Sequence, residues 1–88
     1  AYWDMNTNDN IQLIIYSPER TILEKMVSKV SLPGTLGRFM VLKSHAPLIS
    51  SLDEGYIVYE SEGAEEKLFV LGGFVEILND RITACVEV

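Results

Sequence analysis

The sequence predicts an all-β domain: a flattened two-sheet β-sandwich or barrel of about eight to ten short, mostly antiparallel strands, with no long helix. Three observations support this prediction. Apolar and polar residues alternate in the last segment, whereas no 3.6-residue period lasts long enough for a core helix. Other apolar runs are too short for helices. Residues that favour turns separate these runs at short intervals.

The predicted strands follow from the apolar runs, taken in order along the chain. The first, residues 11–16, is apolar on both faces, and so are later runs at residues 39–42, 56–59, 68–71 and 74–78. The last strand, residues 81–88, alternates strictly. This alternation predicts that the residues at even positions face the core: Ile82, Ala84, Val86 and Val88.

The second predicted strand spans residues 22–32, with one face exposed to solvent. Four apolar residues share one parity and predict the buried face: Ile22, Met26, Val30 and Leu32. Glu24 and Ser28 interrupt this face, which predicts a bulge or a sheet edge there.

Turn-forming residues separate the strands, at positions 17–20, 33–37, 53–55, 62–64 and 79–80. Asn79-Asp80 lies directly between two apolar runs, and both residues tolerate the left-handed region that a type I′ turn requires. The pair therefore predicts a two-residue hairpin turn.

The length of 88 residues leaves room for one domain. Residues 11–88 are expected to form the sandwich, and residues 1–10 a flexible lead-in. Met5 fits a natural start, which would make residues 1–4 an addition ahead of it.

Composition excludes several classes of protein. The net charge of −6 opposes binding to nucleic acid or to an anionic lipid surface. No apolar run approaches the roughly 18 to 20 residues of a membrane-spanning helix, and insertion into lipid is not expected. Cys85 is the single cysteine and His45 the single histidine, so neither a disulfide framework nor a structural zinc site is expected.

The sequence contains no recognisable catalytic pattern, and we expect no catalytic, cofactor-binding or metal-binding residues. Ser44-His45 lacks the strand-to-helix elbow of a hydrolase nucleophile. A lone histidine at a strand end is more often structural, making one hydrogen bond. The glycines at residues 34–37 and 72–73 do not open helices, and turns explain them better than a phosphate-binding loop.

One ordered set of motifs resembles a known family. Residues 32–48 read LPGTLGRFMVLKSHAPL, after an opening strand ending Tyr16-Ser17-Pro18-Glu19 and before the glycine pair Gly72-Gly73 and a closing strand. Together these features resemble the N-terminal β-sandwich domain of the epsilon subunit of rotary F-type ATP synthases. The resemblance covers nearly the whole chain from Ile11.

The resemblance implies a non-catalytic subunit of the central rotor stalk that couples ion-driven rotation of the c-ring to ATP synthesis. Its partners would be the gamma subunit and the c-ring, without a small-molecule ligand. The expected location is the cytoplasmic face of the bacterial inner membrane, as a peripheral part of the complex, or the organellar equivalent. The family's C-terminal helical hairpin is absent from these 88 residues.

The resemblance also implies two sets of contact residues. The set on the c-ring side is Pro33, Gly34, Thr35, Leu36, Gly37 and Arg38. The set on the gamma side is Leu42, His45, Ala46 and Pro47. Three features depart from the family pattern: Met40, the pair Lys43-Ser44, and Arg38, where some members have an acid.

Two other functions remain open from the sequence. A stand-alone β-sandwich adaptor would use the outer apolar residues of the two-faced strands to bind another protein. A small hydrolase would use His45 with Ser44 or Asp53. In the rotor and adaptor interpretations, strands with two apolar faces are half core and half interface.

Overall fold

The computed structural model describes residues 9–88, and all of its regular structure within that range is β-strand. Most of the predicted lead-in, including residues 1–4 and Met5, lies outside the described residues. The strands are β1 Ile11–Ser17, β2 Arg20–Val27, β3 Lys29–Gly34, β4 Gly37–Val41, β5 Leu48–Leu52, β6 Gly55–Ser61, β7 Ala64–Val70, β8 Gly72–Leu78 and β9 Arg81–Glu87.

The strands form one hydrogen-bonded path in the order β2-β1-β9-β8-β5-β3-β6-β7. β4 lies off this path and pairs with β3. Every pairing is antiparallel except β1 with β9, which is parallel. β5 meets β3 through a single pair, Gly34 with Leu52. The path bends there, so that β2-β1-β9-β8-β5 and β4-β3-β6-β7 form two layers. The predicted all-β fold is confirmed.

A single apolar core fills the space between the layers, and every strand contributes to it. Its largest fully buried side chains include Leu13 of β1, Leu32 of β3, Ile57 of β6 and Ile82 of β9. Each such side chain contributes about 1.5–3 kcal/mol through the apolar surface that it removes from water. Burial on this scale stabilises the sandwich without a disulfide.

Ser28 corrects the prediction of one continuous strand over residues 22–32. The chain passes there from β2 to β3, and the Ser28 N–H donates to the Glu60 carbonyl oxygen of β6 (2.8 Å). This step shifts the side-chain alternation by one residue, so that Val27 is buried while the predicted core residue Met26 is exposed. The edge prediction is confirmed for β2, which lies at the end of the sheet path.

Two strands differ from the apolar runs in the sequence. β5 was not predicted, because Ser50-Ser51 interrupts its apolar residues; it forms by pairing along its whole length with β8. β7 begins at Ala64 rather than at residue 68, with charged residues on an edge strand. In both cases hydrogen bonds to a neighbouring strand form the element, β8 for β5 and β6 for β7, which local composition does not show.

The turn predicted at Asn79-Asp80 is confirmed. Leu78 pairs with Arg81 across it, and the two central residues have φ of 53° and 59°. Positive φ at both positions defines the type I′ turn, which suits the twist of the strands that it joins.

Tyr59 gives a pH-dependent contribution to stability. Its pKa is raised above the ordinary value of 10.0 by burial and by the nearby Glu66 carboxylate, which accepts a hydrogen bond from the Tyr59 hydroxyl (3.4 Å). Because the folded state holds this proton more tightly than the unfolded state, the contribution is present below pH 10 and is lost as pH rises through the folded pKa. We expect the stability difference between wild type and Tyr59→Phe to shrink above pH 10 in urea titrations. A constant difference from pH 8 to 11 would contradict this.

Candidate functional site

The β3–β4 hairpin presents the first set of predicted contact residues. Gly34 pairs with Gly37, and Thr35-Leu36 form the two-residue tip. The Leu36 side chain is fully exposed, with a relative exposure of 102%. A leucine held at a hairpin tip without apolar neighbours has no role in the core, so its apolar surface is available to a partner.

Hydrogen bonds to β5 fix the base of this hairpin. The Thr35 N–H donates to the Ser51 carbonyl oxygen (3.1 Å), and the two hydroxyl oxygens of Thr35 and Ser51 lie 2.6 Å apart. On the same edge of β3, the Asp53 N–H donates to the Pro33 carbonyl oxygen (2.8 Å), so the two backbone bonds flank the Gly34–Leu52 pair. A Cβ on Gly34 would lie 2.8 Å from the Phe39 ring, so glycine permits the close packing there. The tip is therefore presented by an ordered base.

Arg38 lies along the outer face of its layer rather than at the tip. Its guanidinium donates to the Ser31 hydroxyl oxygen (2.7 Å) through Nη1 and to the Tyr56 carbonyl oxygen through Nη2. Both acceptors belong to neighbouring strands of the same layer, β3 and β6. These bonds orient the exposed guanidinium, and a partner would meet it in this fixed position.

The six residues expected on the c-ring side thus divide by burial. Pro33 and Gly34 are buried and form the base of the hairpin. The four others, Thr35, Leu36, Gly37 and Arg38, are exposed and can be touched directly.

The β4–β5 loop, residues 42–47, carries the second set. Leu42, Ala46 and Pro47 are exposed, and His45 is half-buried. Ser44 has φ of 66°, and its N–H donates to the Asp80 Oδ1 (2.6 Å). A left-handed residue at this point turns the chain back toward β5, so the three exposed side chains share one end of the sandwich.

His45 makes local hydrogen bonds, as expected for a structural histidine. Its N–H donates to the Leu42 carbonyl oxygen (3.2 Å), and its Nδ1 donates to the Ala46 carbonyl oxygen (2.6 Å). Because a carbonyl oxygen only accepts, Nδ1 carries the proton. Asp53 follows β5 whereas His45 precedes it, so the two lie at opposite ends of that strand. The described residues therefore hold no triad built on His45 and Asp53.

The two sets of contact residues lie at opposite ends of the sandwich. β4 connects them, running from Gly37 beside the Thr35-Leu36 tip to Val41 beside the β4–β5 loop. Five strand residues span about 16 Å at roughly 3.3 Å per residue. One rigid strand therefore separates two surfaces that could each hold a different partner.

Comparison with known proteins identifies the family. A model described as ATP synthase, Delta/Epsilon chain, beta-sandwich domain matches residues 10–88. The chain belongs to this family. It is 42% identical over 80 residues to the ATP synthase epsilon chain of Desulfosudis oleivorans, covering 90% of this chain and 60% of the relative. It is 40% identical over 74 residues to the epsilon chain of Carboxydothermus hydrogenoformans, covering 84% and 55%.

The chain therefore spans somewhat over half the length of these epsilon-chain relatives. Solved structures with the same fold include a chain of the Euglena gracilis mitochondrial ATP synthase OSCP/F1/c-ring, with a TM-score of 0.83 and 21% identity over 89% of this chain and 51% of that one. Another comes from the central stalk/c-ring of the Tetrahymena thermophila mitochondrial ATP synthase, with a TM-score of 0.77 and 10% identity over 90% and 64%. At these identities the likeness concerns the fold alone.

The predicted two-sided character of the strands is confirmed in this delta/epsilon-type sandwich. On the outside of the β1-β9-β8-β5 layer, Tyr16, Ile49 and Phe74 surround Cys85 and Glu76. Ile49 is 74% exposed and Phe74 66% exposed. The apolar runs in the sequence predicted outward apolar residues, but the pairing of β5 with β8 was needed to bring Ile49 beside this group.

Two features are absent from residues 9–88, a metal-binding group and a membrane-spanning helix. No group of three or more His, Cys, Asp or Glu side chains is arranged to hold a metal ion in this range. The same residues also contain no helix that could span a lipid bilayer.

Proposed function

We propose that this chain is the β-sandwich part of a non-catalytic rotor subunit of an F-type ATP synthase. Membership of the delta/epsilon family supports this, together with relatives named ATP synthase epsilon chain. In this proposal the sandwich binds the gamma subunit and the c-ring and couples ring rotation to ATP synthesis. It acts at the cytoplasmic face of a bacterial inner membrane, or at its organellar equivalent, without a ligand or nucleic acid of its own.

The observation that carries the proposal is the separation of the two exposed surfaces. The Thr35-Leu36 tip would meet the c-ring, and the β4–β5 loop would meet gamma. A subunit that transmits torque between two partners needs two attachment points on a body that does not bend between them. The β4 strand, paired along its length with β3, supplies this stiff connection.

The solved assemblies that contain this fold support the proposal. The Tetrahymena structure is described as the central stalk and c-ring, and the Euglena structure includes F1 and the c-ring. Chains of this fold thus occur in the same kind of complex that the proposal requires, whereas the adaptor interpretation gives no reason for this coincidence.

A matched pair of leucine substitutions at the two ends tests the proposal. We expect Leu36→Asp to weaken binding to purified c-ring by about thirtyfold, the loss typical of an apolar anchor at an interface centre, and to leave gamma binding unchanged. Leu42→Asp should weaken gamma binding and spare the ring. The measured quantity is the binding of the full natural chain to c-ring or gamma immobilised on a surface.

Leu36 is fully exposed, so Leu36→Asp should change the free energy of unfolding by less than about 0.5 kcal/mol. Leu42 is 54% exposed, so urea unfolding of Leu42→Asp accompanies its binding measurement. Charge reversal at Arg38 is a less clean variant, since it also breaks the hydrogen bonds to Ser31 and Tyr56. Wild-type chain that binds neither partner would contradict the proposal and favour the adaptor interpretation.

A further inference from the structure

Asp80 joins the β4–β5 loop to the rest of the sandwich. Its Oδ1 accepts a hydrogen bond from the Ser44 N–H (2.6 Å), and its Oδ2 lies 3.7 Å from the Lys43 Nζ. One carboxylate thus contacts two consecutive loop residues, 36 and 37 positions earlier in the chain. Asp80 belongs to the β8–β9 turn and is not among the contact residues that the family resemblance implies.

The loop needs such an external contact because its other polar contacts are internal. The His45 N–H and Nδ1 both bond to carbonyl oxygens within the loop, those of Leu42 and Ala46. Ser44 is held with φ of 66°, a conformation that a residue with a side chain rarely adopts without compensation. A hydrogen bond to a charged acceptor is stronger than one between neutral groups and can supply that compensation.

Asp80 is itself firmly placed. Its carbonyl oxygen accepts from the Gln12 N–H of β1 (2.9 Å), and its φ of 59° is set by the type I′ turn. The carboxylate is therefore held in place by the β8–β9 turn and by the hydrogen bond to β1, in the layer opposite β4. Holding the loop from this position orders Leu42, Ala46 and Pro47 before any partner arrives, which reduces the entropy lost on binding.

We propose that Asp80 is the positioning residue of the gamma-binding loop: its carboxylate holds Ser44 in the left-handed conformation and so fixes the surface that gamma contacts. This inference rests on the proposed function, in which the loop meets gamma. Asp80 does not need to touch gamma itself, since its contribution passes through Ser44.

Two substitutions separate this role from a general effect on the fold. Asp80→Gly removes the carboxylate and leaves an Asn-Gly turn, the pair that type I′ turns favour most, so the hairpin should persist. Asp80→Asn keeps an oxygen acceptor at the same position and also tolerates positive φ. The asparagine variant is the conservative control.

Binding of the full natural chain to purified gamma and to purified c-ring is measured for wild type and both variants, with amide hydrogen exchange at Ser44. We expect Asp80→Gly to weaken gamma binding by about tenfold, the scale of a lost hydrogen bond to a charged group. Exchange at the Ser44 amide should rise at least as much, while ring binding and the unfolding midpoint stay near wild type. Asp80→Asn should restore most of the gamma affinity.

The outcomes that contradict the inference are distinguishable. If wild type binds gamma and Asp80→Gly binds it equally well, Asp80 is not a positioning residue and the proposed function stands. Equal loss of gamma and ring binding also contradicts the positioning role, because it indicates damage to the whole sandwich. If wild type does not bind gamma, the proposed function fails and the positioning role fails with it.

Discussion

Replacing Gly73 by alanine is expected to lower the free energy of unfolding by about 2–5 kcal/mol, a severe loss for a domain of this size. Gly73 lies in β8, pairs with Val86 of β9 and has φ of 152°. A Cβ at this position would lie 2.2 Å from the Cys85 carbonyl oxygen and 2.9 Å from the Val86 Cα. Both atoms belong to the backbone of an inner strand, so relief requires β8 and β9 to move apart.

Gly37→Ala is the matched control for this prediction. Gly37 also has a positive φ, 133°, but a Cβ there would meet no atom within 4 Å. Its substitution carries only the conformational cost, about 1 kcal/mol. Urea unfolding of both variants separates the clash from the backbone strain. Equal losses in the two variants would show that the contact with β9 has no energetic effect.

Leu32→Ala is expected to destabilise the sandwich by about 2–5 kcal/mol, whereas Leu36→Ala should change its stability by less than about 0.5 kcal/mol. The two leucines belong to the same hairpin, four positions apart, yet Leu32 is 0% exposed and Leu36 is 102% exposed. Truncating Leu32 removes apolar contacts in the core and leaves a cavity between the layers, while truncating Leu36 removes only atoms already in water.

Chemical denaturation of the two variants, followed by circular dichroism, measures this difference. The m-value should remain at the wild-type value for both, because neither change alters the surface exposed on unfolding by much. A loss of stability in Leu36→Ala as large as that in Leu32→Ala would contradict the assignment of Leu36 to a free surface. Retained stability in Leu32→Ala would contradict the core assignment.

Local chemistry is sufficient to predict the fold class and several turns. Asn79 and Asp80 both tolerate positive φ, so their residue types alone are enough to assign the turn between β8 and β9. Alternation in the last segment likewise predicts Ile82, Ala84, Val86 and Val88 as core; the first three are buried, whereas the prediction is wrong for Val88, which lies beyond the end of β9 and is 58% exposed. In the confirmed cases the residue type and its nearest neighbours contain all the information that the prediction needs.

The features that could not be predicted depend on pairing between distant segments. Ser28 shifts the alternation because of a contact with Glu60, and β5 is a strand because of its ladder with β8. At the candidate site, the family resemblance suggested Arg38 and the β4–β5 loop, but gave no sign of the hydrogen bond to Ser31 or of the contact with Asp80. Strand topology decides these contacts, and residue patterns within one segment do not contain it.

The parallel pairing of β1 with β9 has a consequence for biosynthesis. β1 lies between β2, its immediate successor, and β9, which follows it by more than sixty residues and is the last of the described strands in chain order. Until residues 81–87 leave the exit tunnel, the β1–β2 hairpin has a bare edge and an uncovered apolar side, which can attract other nascent chains. The β1 edge therefore has to wait for β9, and a chaperone that shields β1 during translation should raise the yield of native protein.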